Sequence, residues 1–152
     1  MTVTRTFPVV LAFALGAAWA ADDPKPEPKK DLEPARAAIA AKDWERAREL
    51  LRAAVTRAPR DADAQNLYAY SLRMGANPPI DLVFRHYNEA LRIDARHRGA
   101  HEYLGEAYLM VGNLAKAKEH LALLERICNA GCEEYGKLKQ AVNATERQHA
   151  AK

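Results

Sequence analysis

Apolar residues recur along this chain at spacings of three and four, the period of a helix that buries one face. Trp44, Ala47, Leu51 and Ala54 make one such stripe, and Ile80, Val83, Tyr87 and Ala90 make another. Between them Tyr68, Ala69 and Leu72 form a shorter one. Leu104, Gly105 and Tyr108 follow, then Leu114, Ala117, Leu121 and Leu124, and last Tyr135, Leu138 and Val142. The stripes are separated by breakers: Pro59, Gly75-Ala76-Asn77-Pro78-Pro79, Gly112-Asn113 and Asn129-Ala130-Gly131. Between the breakers the chain is rich in Ala, Leu, Arg, Glu and Lys, all strong helix formers. The pattern therefore predicts an all-α fold. Asp31 is the expected N-cap of a first helix reaching about Lys42, with Pro34 in its first turn, and Asn77 the expected cap of a helix with Pro78 at its first position.

The start of the chain reads differently. Met1 to Arg5 is short and basic, Phe7 to Ala17 is apolar, and Ala18-Trp19-Ala20 offers small residues at the two positions a signal peptidase reads. Cleavage is expected after Ala20. The apolar run falls short of the about 20 residues a permanent anchor needs, and no Cys stands beside Ala21 to carry a lipid. Residues 1–20 are thus expected to be a signal peptide and 21–30 a linker, whose alternating prolines favour an extended, hydrated chain. Taking 20 residues from 152 leaves 132, enough for one domain, and removing Arg5 lowers the formal charge from +3 to +2. The charges are interspersed, which argues against the concentrated basic stripe that nucleic acid requires. No later segment is apolar enough to span a membrane. The expected location is a bacterial periplasm or the secreted space beyond it.

Leu104-Gly105-x-x-Tyr108, with a large residue (His101) three positions before the Leu, resembles the first-helix signature of the tetratricopeptide repeat (TPR). Ala47, Leu51, Ala54 and Pro59 resemble its second-helix signature, and Ala117 and Leu121 repeat it more weakly. The likeness runs from about Asp31 to Gly131, in repeats of roughly 28–61, 62–97 and 98–131. The first repeat departs from the pattern, with Asp31, Pro34 and Ala35 where a bulky residue, a Leu and a Gly are usual. The third ends with Leu124 and Asn129 in place of Ala and Pro. The stretches 97–106 and 131–135 are also similar to small exported proteobacterial TPR proteins. The resemblance implies a right-handed α-solenoid of about three helix hairpins, with a capping helix near 133–149 closing its end. Ala47, Ala90, Gly105 and Ala117 are expected at close helix crossings, Gly105 least tolerant of a larger side chain.

In that family the first helices line a concave groove. The resemblance places Asn66, Tyr70, Arg73 and Met74 from the second repeat there, and Glu102, Glu106, Leu109 and Met110 from the third. Such a mixture suits an extended peptide or a partner helix; the plain alternative is a solvated surface. A terminal-carboxylate clamp is not expected, because Tyr70 and Glu106 replace the Asn residues it needs. Replacing Tyr70 and Arg73 together is expected to weaken partner capture and leave melting nearly unchanged.

Cys128 and Cys132 are the chain's two cysteines. In an oxidising compartment a disulfide is the first expectation. Cβ atoms four apart in a helix are about 5–6 Å apart, whereas a disulfide needs roughly 3.5–4.5 Å. The helix must therefore stop between them, with Gly131 able to turn left-handed. Copper or zinc ligation and redox activity remain competing readings of the pair. His97 and His101 straddle a repeat boundary, and His101 is expected to be a packed histidine and not a ligand. Arg92, Arg96, His97 and Arg98 form a basic corner. No phosphate loop, nucleophile elbow or zinc-protease helix is present. The expectation is a monomeric protein-interaction adaptor of the cell envelope, without cofactor, metal or catalysis. The alternative is a periplasmic thiol- or copper-handling accessory protein working through Cys128 and Cys132.

Overall fold

The computed structural model describes residues 30–151. The expected signal peptide and all but the last residue of the linker lie outside them. A 3-10 turn, Lys30–Leu32, leads into α1 (Glu33–Ala40), α2 (Trp44–Arg57), α3 (Ala62–Arg73), α4 (Ile80–Ile93), α5 (Arg98–Met110), α6 (Leu114–Cys128) and α7 (Glu133–Ala150). No strand occurs among the described residues. Short connections fold α1/α2, α3/α4 and α5/α6 into hairpins, which stack in order, and α7 packs on both α5 and α6. This is an α-solenoid with its last hairpin covered.

Local chemistry starts most of the helices. Asp43, Asp61 and Asn113 accept backbone N–H bonds from Arg46, Ala64 and Lys116 at 3.0, 3.2 and 3.1 Å. His97 does the same for Ala100 through Nδ1 at 3.1 Å.

Two expected caps are not caps. Asp31 lies in the 3-10 turn that precedes α1, so Leu32 takes the cap position and makes no side-chain bond. Asp31 pairs with Arg57 at 3.6 Å instead. Nor does Asn77 cap α4, which begins at Ile80 with Pro79 as an N-cap that makes no side-chain bond. Pro78 precedes a second proline, and a residue before proline is pushed out of the helical region. The start therefore slips past Pro79.

The interior divides into two clusters. Leu32, Leu51, Tyr87 and Leu104 anchor the larger, and Leu124, Leu138 and Val142 the smaller; Tyr108 packs against both. Ala47, Ala90 and Ala117 are fully buried, as a tight crossing requires. At Gly105 an added Cβ would lie 2.6 Å from Leu138 Cδ2. The chain leaves α6 through left-handed Asn129 (φ 48°) and Ala130 (φ 60°), not through Gly131 as expected. Asn tolerates that region through local hydrogen bonding, and the Gly131 N–H then reaches the Cys128 carbonyl at 2.9 Å.

Candidate functional site

The first helices of the hairpins, with α7 taking the next place in the row, surround a cavity of about 460 Å³. Arg36 reaches it from α1, Asp63, Asn66 and Leu67 from α3, Glu102 and Tyr103 from α5, and Glu133, Glu134 and Lys137 from α7. The N-terminal halves of α3, α5 and α7 build it because their first turns converge there, with His97 both capping α5 and bonding Asp63 Oδ1 at 3.1 Å.

The eight expected groove residues do not form one exposed patch. Asn66 and Glu102 line the cavity, but they are only 4% and 3% exposed, floor groups and not outward-facing ones. Tyr70, Arg73 and Glu106 form a packed cluster beside it. Arg73 donates from Nη2 to Glu106 Oε2 at 2.6 Å and from Nε to Tyr87 Oη at 3.3 Å, and its guanidinium stands 5.5 Å from the Tyr70 ring centroid and 5.9 Å from that of Tyr103. So tied, Arg73 holds α3, α4 and α5 together, and a change at Tyr70 and Arg73 cannot leave melting untouched. Leu109 packs against the second core cluster, drawn in by the arrival of α7. Met74 and Met110, at the C-terminal ends of their helices, are the exposed members.

Polar groups at the cavity are incompletely satisfied. Asn66 Oδ1 and Arg36 Nε are buried and lack hydrogen-bond partners, although Glu33 Oε1 stands 3.8 Å from Arg36 Nε as an ion-pair neighbour. Burial pushes the Glu102 carboxyl up to about 7; Lys137, at 4.0 Å, opposes this, while Glu106, Glu134 and Glu133 add to it. Lys137 itself bonds Glu133 at 2.7 Å. Arg36, Asp63, Glu133, Glu134 and Lys137 were not singled out in the sequence. Three of them lie in the first turns of α3 and α7, the one available signal.

The basic corner is divided. Arg92 is engaged by Glu89 at 2.6 Å, while Arg96, His97 and Arg98 border the cavity. His101 is buried as expected, its Nε2 3.1 Å from the Ala95 carbonyl and its Nδ1 3.0 Å from His120 Nδ1. His120, not foreseen as its partner, is driven down to about 4 by burial and by His101. The Cys128 and Cys132 sulfurs are at bonding distance with Cα atoms 5.7 Å apart, and Cys132 occupies the N-cap position of α7. Among the described residues no three His, Cys, Asp or Glu side chains are grouped to share a metal ion, and no helix is long and apolar enough to cross a membrane.

No protein-family model matches the chain, and no curated protein is similar to it in sequence. Solved structures are similar to it in fold. The TPR2B domain of yeast Sti1, in its complex with pHsp70, superposes with a TM-score of 0.68 at 20% identity, over 78% of this chain and 94% of that one. The type III secretion translocator chaperone SycD of Yersinia enterocolitica gives 0.66 at 18% identity, over 82% and 90%. SycD in complex with a peptide of the translocator YopD gives 0.61 at 19%, over 73% and 82%. The fold is that of TPR domains.

Proposed function

We propose that this chain is a non-enzymatic interaction adaptor that holds a peptide or partner helix against the face formed by α1, α3, α5 and α7. One observation carries the reading: among the described residues the buried side-chain polar atoms without hydrogen-bond partners, Arg36 Nε and Asn66 Oδ1, belong to residues lining one cavity on that face. Unpaired buried groups cost roughly 1–3 kcal/mol each, so their concentration at one opening calls for a ligand that satisfies both. A peptide backbone offers a donor and an acceptor a few ångströms apart. Similar folds in complex with pHsp70 and with a YopD peptide support the reading. The expected signal peptide at 1–20 adds an envelope location, a soluble monomer after cleavage, and a disulfide at Cys128 and Cys132 that sets the angle of α7.

The test is Asn66→Leu. An apolar residue of similar shape removes the unpaired oxygen and should leave the melting temperature unchanged or raised. Binding of peptides selected on the wild-type protein, read by fluorescence polarisation, should fall about tenfold. Undiminished affinity in this folded variant would move the binding site elsewhere.

A further inference from the structure

Glu102 stands apart from the other carboxylates of the groove. Glu106 is held by Arg73 at 2.6 Å and Asp63 by His97 at 3.1 Å. Glu102, more deeply buried than either, has among the described residues only Lys137 as an ion-pair neighbour, at 4.0 Å and beyond hydrogen-bond reach, and that ammonium bonds Glu133 at 2.7 Å. Asn66, likewise buried in the lining of the cavity, carries an amide oxygen with no donor. The floor therefore offers two kinds of acceptor, while Leu67 and Tyr103 supply apolar wall. Of the cavity's basic groups Arg60, Arg96 and Lys137 are exposed, while Arg36, His97 and Arg98 are half-buried; among the described residues Lys137 alone comes within 4.0 Å of the Glu102 carboxylate. What Glu102 and Asn66 Oδ1 lack is a charged donor within hydrogen-bond reach, since Lys137 stands 4.0 Å from Glu102 and Asn66 Oδ1 has no partner.

We infer that the cavity is a socket for a basic side chain, lysine or arginine, of the peptide bound along the groove. Glu102 accepts from the charged head, Asn66 Oδ1 accepts from the same head or the adjoining N–H, and Leu67 and Tyr103 cover the aliphatic stem. Arg36 Nε donates to a peptide carbonyl nearby. An acidic side chain would meet a buried carboxylate, and an apolar one would leave both acceptors dry and unpaired. The upward displacement of the Glu102 carboxyl agrees with a carboxylate whose counter-charge is missing in the chain alone. The inference rests on the groove reading above and adds the chemistry of the occupant.

The experiment uses the secreted chain and three pools of acetylated, amidated octapeptides, identical except for a fixed central lysine, norleucine or glutamate. It also titrates N-acetyl-lysine methylamide and its norleucine analogue against the labelled protein by NMR. The lysine pool should bind at least about tenfold better than the norleucine pool. The lysine amide alone should shift the Asn66 side-chain and Gly99 backbone signals, and the norleucine amide should not. Glu102→Gln removes the buried charge without removing volume, so it should fold at least as stably as wild type and lose the lysine preference. Equal binding of the lysine and norleucine pools, preference for glutamate, or a lysine preference surviving in Glu102→Gln overturns the socket and leaves the groove standing. Failure of every pool to bind overturns both.

Discussion

Gly105 gives the sharpest test of how the solenoid is closed. A Cβ at this position would stand 2.6 and 2.7 Å from the two Leu138 methyl carbons and 3.2 Å from its Cγ. Leu138 is fully buried, so its side chain has no open rotamer to retreat into. Two effects oppose each other in Gly105→Ala. Alanine gains about 1 kcal/mol of helix propensity over glycine. Overpacking costs about 1–3 kcal/mol, and a contact this short belongs at the upper end. The net loss is about 2 kcal/mol, or roughly 8 °C in melting temperature for a domain of this size. Leu138→Ala alone should cost about 3 kcal/mol through the cavity it leaves. In that background the clash is gone and only the propensity gain survives. Gly105→Ala should then raise the melting temperature that it lowers in wild type, a reversal of sign worth about 3 kcal/mol of coupling. Thermal and urea melts of the four proteins, followed by far-UV circular dichroism, complete the cycle. If Gly105→Ala stabilises the wild-type protein, or costs the same in both backgrounds, α5 and α7 do not meet through these two side chains.

Acid should weaken the fold through His101 and His120. Both are depressed below the ordinary histidine value by burial, so their contribution is intact above about pH 6.5 and is lost as pH falls towards 4. Allowing for solvent at His120, about 2 kcal/mol should disappear, and urea midpoints at two pH values should show a steeper loss in wild type than in His120→Leu; parallel losses would clear the pair of this role. Arg73→Ala should cost about 2 kcal/mol by stranding Glu106 and Tyr87, with Arg73→Lys recovering less than half, as chemical denaturation would show. An unchanged midpoint in Arg73→Ala would remove the guanidinium from the packing account. Replacing Cys128 and Cys132 by Ser should cost about 2 kcal/mol on the chain-entropy estimate for so short a loop and speed amide exchange at residues 133–137. Coincident melts of the oxidised and reduced wild type would sink that expectation.

The periodic stripes were legible because a helix buries the same face wherever its spacing of three and four is kept. Ala47, Leu51, Val83, Tyr87, Ala90 and Leu138 all reach zero exposure. Ends were harder where two local rules met. At Asn77 the capping preference of Asn competes with Pro78-Pro79, and the restriction before the second proline prevails. At Asn129 the glycine two residues later looked the better left-handed residue, yet the turn is made earlier, where it lets the Gly131 N–H meet the Cys128 carbonyl. The eight expected groove residues lie on or at the ends of α3 and α5, but their exposure was not readable. Whether Glu102 is solvated depends on α7, which lies 31 residues on and brings Lys137, Glu133 and Glu134 against it. Neither the closure over Asn66 nor the Arg73 bonds to Glu106 and Tyr87 has a local signature.

Where the departures from good packing fall is itself informative. Four helix starts carry side-chain caps, the crossings carry alanine or glycine, and Arg73, Asp63 and His97 have partners. Against that consistency, an amide oxygen and a guanidinium nitrogen without hydrogen bonds and a deeply buried carboxyl with a distant counter-ion all border one cavity. Faults of packing carry no reason to gather, since each arises from its own local conflict. Groups kept ready for a ligand must gather, because one ligand has to satisfy them together, and the free protein bears their cost. On the proposed reading, Asn66→Leu and Glu102→Gln are expected to hold or raise stability while removing binding. Two unrelated chemistries moving stability and affinity in opposite directions at one place is a pattern that simple surface solvation cannot produce.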